Sequence, residues 1–255
     1  MKPRHWFCTI SIFLCAVFTA DAQALEAVEW ERVLYQGASP AEANRALISR
    51  TEALIELGRW EDAVDAMDRV RMFALSKEDA LTANLLQGIA HYRMGDYSGA
   101  AGFLAEGFPD TERAAIFRIL ILAGNRKWTE AEMAAIELRP DMQEALQSLF
   151  RKTPALKKPG TAAMLSLLPP LGHAYLGDKD WFWPTIMSYG GAALTVWQVV
   201  EGNYLTGLLG GGMLLNASYM EKNIATAPDR AAAVNEESLK AFLANLESII
   251  LHSRA

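Results

Sequence analysis

Between Trp181 and Met220 the chain carries a single charged residue, Glu201, in the short link Glu201-Gly202-Asn203. A run this poor in charge has to be covered by protein or by lipid. Its two arms, 181–200 and 204–220, come close to the roughly 20 residues that a helix needs to cross a bilayer core. A polar link of three residues between them predicts an antiparallel helical hairpin. Trp181, Trp183 and Tyr204 stand near the ends of the arms, where amphipathic aromatics favour an interface. Gly207 and Gly211 form a small-xxx-small pair and Gly190-Gly191 gives the facing arm a flat surface, so these four glycines are the expected helix-packing positions. The other reading of the same run is a buried hairpin in a soluble helical protein.

The preceding stretch, Leu167 to Asp178, reads LLPPLGHAYLGD. Pro169 and Pro170 break it after a short apolar start, which predicts a kinked or interfacial segment over 161–176 rather than a straight span. Ahead of it, 151–160 is a basic, proline-punctuated linker holding four of the nine cations found after residue 150. Lys157, Lys158, His173, Tyr175, Trp181 and Trp183 are the expected membrane-interface residues, the lysines being suited to anionic headgroups. Residues 157–220 resemble the short hydrophobic hairpin module of bacterial membrane proteins, on Lys157-Lys158-Pro159-Gly160 followed by Pro169-Pro170-Leu171-Gly172-His173-Ala174-Tyr175-Leu176-Gly177. The sequence departs from that module at Pro170, where glycine is usual. The resemblance implies a transmembrane helical hairpin over 161–227.

At the N-terminus, Lys2 and Arg4 precede an apolar run from Trp6 to Thr19 and then Ala20-Asp21-Ala22. A basic start, a run too short to span and small residues at the cleavage positions predict a signal peptide over 1–22, cut near Ala22. Both cysteines, Cys8 and Cys15, fall inside it, which excludes a disulfide framework and a thiol nucleophile from the expected mature chain.

Residues 23–150 have a different character. They hold 21 carboxylates against 13 cations, whereas 151–255 hold 8 against 9. An acidic domain of this kind argues against nucleic acid as a partner. Apolar residues recur at helical spacing, and Ser39-Pro40-Ala41-Glu42, Ser76-Lys77-Glu78-Asp79 and Thr129-Glu130-Ala131-Glu132 read as helix starts. The predicted helices are 40–57, 60–73, 77–94, 97–107, 111–123, 128–138 and 141–151.

Those helices recur as pairs. Gly58-Arg59-Trp60-Glu61-Asp62-Ala63 returns as Gly95-Asp96-Tyr97-Ser98-Gly99-Ala100 and as Arg126-Lys127-Trp128-Thr129-Glu130-Ala131, the aromatics lying 37 and then 31 residues apart. The mean matches the length of the tetratricopeptide unit, and residues 40–140 resemble a tetratricopeptide-repeat domain of about three units. That resemblance implies an all-α helical-hairpin solenoid with a concave partner-binding face, and its register brings Arg45, Glu52, Tyr92 and Arg113 to that face. The last stretch, Val234 to Leu251, is amphipathic and forms a terminal helix within 228–255, which Pro228 is expected to hinge from the hairpin.

No catalytic motif, metal-ligand spacing or phosphate-binding loop occurs, so no catalytic residue, metal or cofactor is expected. The expected protein is a non-enzymatic adaptor or scaffold anchored in a bacterial inner membrane, with its repeats in the periplasm holding a protein or peptide partner. A lipid bilayer and a second copy of the chain are further expected partners. A second reading is a membrane-embedded module acting on a lipid or small solute, with His173, Tyr175 and Asp178 at its mouth. A third is a soluble helical protein.

Overall fold

The computed structural model describes residues 25, 27–34, 36, 39–168, 171–178, 182–210 and 220–251, and among them every regular element is helical. The expected signal peptide over 1–22, Pro169-Pro170, Trp181 and Gly211 lie outside these residues. The chain divides into two compact units: residues 1–151 with 246–255, and residues 152–245.

The first unit is built from helices that the sequence starts and stops locally. Helix α1 (Pro40–Glu56) opens on a reciprocal cap: the Glu42 amide donates to Ser39 Oγ, and the Ser39 amide donates to the Glu42 carboxylate at 2.9 Å. That double bond satisfies two of the four orphan donors at a helix start. Helix α2 (Trp60–Asp68) follows, then a 3₁₀ turn at Met72–Ala74, which replaces the end of the predicted 60–73 helix. Helix α3 (Lys77–Met94) is capped by Ser76 and closed by Gly95. Helices α4 (Tyr97–Glu106) and α5 (Glu112–Gly124) are capped by Asp96 and Thr111. Helices α6 (Trp128–Leu138) and α7 (Gln143–Phe150) complete the series, the former starting without the side-chain cap predicted from Thr129.

Each helix packs chiefly on its neighbour in sequence, and α3 also touches α1 and α5. Three turns share one device. Gly58, Gly95 and Arg126 have φ of 73°, 82° and 62°, each two positions before the aromatic that opens the next helix. Arg126 holds this left-handed geometry without glycine's freedom, a strain on the order of 1 kcal/mol. Ala63, Ala100 and Ala131 are wholly buried one turn later, and Leu54, Leu86, Ile119, Leu120 and Ile121 are buried as well. Tyr97 lies on Gly124, where an added Cβ would stand 2.5 Å from the ring. A helical stretch at 27–34, absent from the sequence reading, adds Leu34 to the cluster of Leu47, Met67 and Val70, and Glu31 pairs with Arg50 at 2.6 Å.

The second unit contains α8 (Pro159–Ser166), α9 (Leu171–Leu176), α10 (Phe182–Val200), a single turn at Tyr204–Thr206, a π-helical segment at Met220–Ala225 and most of α11 (Ala227–Leu251). Its small core joins Ala162, Leu176, Ala227 and Ala231. Pro228 is the second residue of α11, where a missing N–H costs nothing, so the helix begins across it.

Two asparagines act as staples for backbone that belongs to no element. Asn44 accepts from the Arg71 amide and donates to the Arg71 carbonyl, at 3.0 and 3.1 Å. Asn235 does the same for Lys157, at 2.7 and 2.9 Å.

Among the described residues no helix is long and apolar enough to cross a membrane, which overturns the expected inner-membrane anchorage and the transmembrane hairpin. The physical reason is visible in α10: Thr185, Ser188, Tyr189, Gly190, Gly191, Thr195 and Gln198 dilute its apolar side chains. The second arm gives only the turn at Tyr204–Thr206 before its helical geometry changes. Large apolar side chains still stand open on these elements, among them Trp183 at 70% exposure and Val200 at 77%.

Candidate functional site

In the first unit the end of α3, one face of α5 and the last residue of α11 enclose a cavity of about 370 Å³. Ile116 and Phe117 lie three and four residues from both Arg113 and Leu120, so α5 turns all four toward the same space. Ile116, Phe117, Leu120 and Leu251 supply apolar wall, while Arg93, Glu112 and Arg113 supply charge. A volume of this order suits a small ligand or one or two side chains of a partner.

The charges are held in place. Arg113 donates to Glu52 at 2.6 Å across 61 residues of sequence. Both side chains are close to half exposed, so the pair orients more than it stabilises, at about 0–1 kcal/mol. The Arg93 guanidinium stands 5.7 and 5.6 Å from the ring centres of Tyr92 and Phe117, within cation–π range. Tyr92 meets Phe117 edge-on at 5.9 Å, and its hydroxyl donates to Glu247 at 3.0 Å. Burial pushes the Tyr92 phenol well above its ordinary value, and the neighbouring Glu247 carboxylate adds to the effect. The phenol is therefore a fixed donor.

Of the expected concave-face residues, the fold brings Glu52 and Arg113 into contact and makes Tyr92 a buried support beside the cavity. Arg45 is exposed on α1 and does not line it. Arg93, Glu247 and Leu251 were not singled out from sequence. For Arg93 the available sign was its place beside Tyr92; for Glu247 and Leu251 there was none, since their partners lie about 155 residues away.

The second unit gathers a different cluster. His173 is 4% exposed, and its Nδ1 lies 3.2 Å from Asp178 Oδ2. Arg230 forms an ion pair with the same carboxylate and comes within 3.4 Å of Nδ1. Nε2 is buried without a hydrogen bond. Burial first, and Arg230 second, hold the imidazole below its usual pKa of 6.5, against the opposing influence of Asn223. Asp178 alone would favour the imidazolium, but Arg230 already balances its charge. Because the unfolded chain takes up this proton near pH 6.5 and the folded chain only at lower pH, protons favour unfolding. Stability of the second unit should drop as pH falls from 6.5 into the range of the lowered value. Hydrogen exchange of α9 at pH 7 and pH 5 measures this; His173→Gln should flatten the difference, and an unchanged difference would refute the assignment.

Of the other residues expected at a membrane interface, Lys157, Lys158 and Tyr175 take protein contacts. The Lys158 amide donates to the Tyr175 hydroxyl at 2.7 Å, and the Lys157 ammonium sits 4.9 Å from the Tyr175 ring centre. Trp183 is exposed. Among the glycines, Gly207 packs against α10, where an added Cβ would meet Gln198 at 3.0 Å. Thr195 donates to the Gly207 carbonyl at 3.3 Å. Gly191 is buried and Gly190 is exposed with open space beside it. Among the described residues no three potential metal ligands come together. Compared with protein-family models, curated proteins and solved structures, the chain matches none.

Proposed function

We propose that the chain is a non-enzymatic binding scaffold of tetratricopeptide type, whose first unit holds a protein or peptide partner through the cavity on α5. The observation that carries this reading is the composition of that cavity: an apolar floor at Ile116, Phe117 and Leu120, with Arg93 and Arg113 outnumbering Glu112 beside it. An apolar anchor residue flanked by a carboxylate is the chemistry such a wall accepts, because the side chain gains burial and the carboxylate meets guanidinium. The repeated left-handed turns at Gly58, Gly95 and Arg126 support the repeat reading.

A displayed library of random peptides, selected on the full chain, tests it. Selected peptides should share an apolar residue near an acidic one. Phe117→Ala and Arg113→Glu should each weaken them at least tenfold, corresponding to the roughly 1.4 kcal/mol of a modest hot spot. Selected peptides indifferent to both variants would sink the cavity as the binding site.

A further inference from the structure

The last turns of α11 belong to the first unit, and they occupy it in a particular way. Leu246 is fully buried and Ile250 is 2% exposed, four residues apart on one helical face. Between them Glu247 receives hydrogen bonds from Tyr92 Oη and Arg93 Nη1, both at 3.0 Å. Arg139 donates to the Ile250 carbonyl at 3.3 Å, holding one of the orphan acceptors of the helix end. Leu251 then forms part of the cavity wall. Tyr92 and Arg93 thus spend their donors on a carboxylate of the same chain, at the edge of the cavity assigned above to a partner.

We infer that residues 246–251 are an internal occupant of the binding groove, and that the partner is an amphipathic helix presenting the same pattern, an aliphatic residue, a carboxylate directly after it and a second aliphatic residue one turn on. This inference rests on the binding function proposed above. Charge complementarity selects the occupant: the donors at the groove edge are Tyr92, which stays protonated, and Arg93, so a helix carrying lysine at the position of Glu247 is rejected. The inward carboxylate beside the aliphatic pair selects a helix over an extended strand, because a strand would turn the residue directly after Leu246 to the opposite face, whereas Glu247 meets Tyr92 and Arg93. A foreign helix and the chain's own end compete for one seat. The apparent affinity of the partner is reduced by the fraction of molecules whose groove is open.

The test uses the full chain and a fluorescent peptide of residues 239–251. Glu247→Lys sets a cation against Arg93 in the chain's own helix and leaves Leu246 and Ile250 in place; Ile250→Ser removes one of the two buried aliphatic side chains of that helix by a separate route. Both folded variants should bind the peptide at least tenfold more tightly than the wild type, and the same peptide carrying Glu247→Lys should bind none of them. Equal binding by the wild type and both variants overturns the inference. On the wild-type chain, hydrogen exchange over 246–251 should run at least a hundredfold faster than over the centres of α3 and α5. Exchange as slow as those helices, occurring only with global unfolding, overturns the inference whatever the variants do. If library peptides depend on Phe117 but the helix peptide gains nothing from Glu247→Lys, this inference fails and the binding function stands. If the helix peptide gains and library peptides ignore Phe117 and Arg113, the internal seat stands and the foreign partner fails.

Discussion

Gly172→Val should cost the second unit its packing of α8 against α9. A Cβ at position 172 would stand 2.2 Å from Ser166 Oγ and 2.6 Å from Ser166 Cα. The hydroxyl can rotate aside, but the Cα is backbone, so one helix must be displaced. Overpacking typically costs about 1–3 kcal/mol, and a clash with main chain belongs at the upper end. About 3 kcal/mol corresponds to roughly a hundredfold rise in exchange of the α8 and α9 amides, if they open as a unit. Mass spectrometry of exchange over 159–176 reads this directly. Rates matching the wild type would mean that the two helices do not approach as closely as Gly172 permits. His173 follows immediately in α9, so the same variant should also erase the pH dependence carried by the His173, Asp178 and Arg230 cluster.

Leu120→Ala should be the most damaging single truncation at the proposed binding cavity. Leu120 has no exposed surface, yet it also forms part of the cavity wall, so it belongs both to the core and to the binding surface. Removing a buried leucine to alanine costs about 2–5 kcal/mol, the spread reflecting how far neighbours collapse into the space. Ile119 and Ile121 flank it in sequence and are buried on other faces of α5, which limits that collapse and argues for about 3 kcal/mol or more. Urea unfolding followed by helical circular dichroism should show the loss in the transition of the first unit. A shift below about 1 kcal/mol would show that the cavity already relaxes around a smaller side chain.

Much of the first unit is legible because its helices are specified locally. Ser39, Ser76 and Thr111 cap the helices they precede, and α3 and α6 begin and end where periodicity puts them. Gly95 ends α3 in the left-handed conformation that favours glycine. The helical stretch at 27–34 escaped because its anchors are tertiary: Glu31 is fixed by Arg50 and Leu34 by Met67 and Val70. At the candidate site, Glu52 and Arg113 were expected on one face and are hydrogen-bonded to each other, but Glu247 meets Tyr92 only after the chain has passed through an entire second unit. No spacing rule reaches that far.

The membrane expectation failed for a related reason. Low charge density over 181–220 was read as hydropathy, whereas glycine, threonine, serine and glutamine lower charge without raising hydropathy enough for a span. His173 shows the same error at one residue. Among leucines and prolines an interface is the expectation for it; Asp178 is the neighbour that the second sequence reading sets beside it, whereas Arg230 comes from 57 positions away.

Loss of the side-chain amide at Asn44 or Asn235 would undo a paired bond to the backbone. Each amide presents an oxygen to a peptide N–H and a nitrogen to a peptide carbonyl, so hydrolysis to aspartate exchanges a donor for an acceptor directly opposite another oxygen. At position 235 that sets an oxygen against the Lys157 carbonyl and leaves only the bond from the Lys157 N–H, which loosens the segment that leads into α8. Storage damage at this single side chain would therefore surface as new protease cleavage around Lys157 and Lys158, far along the chain from the altered residue.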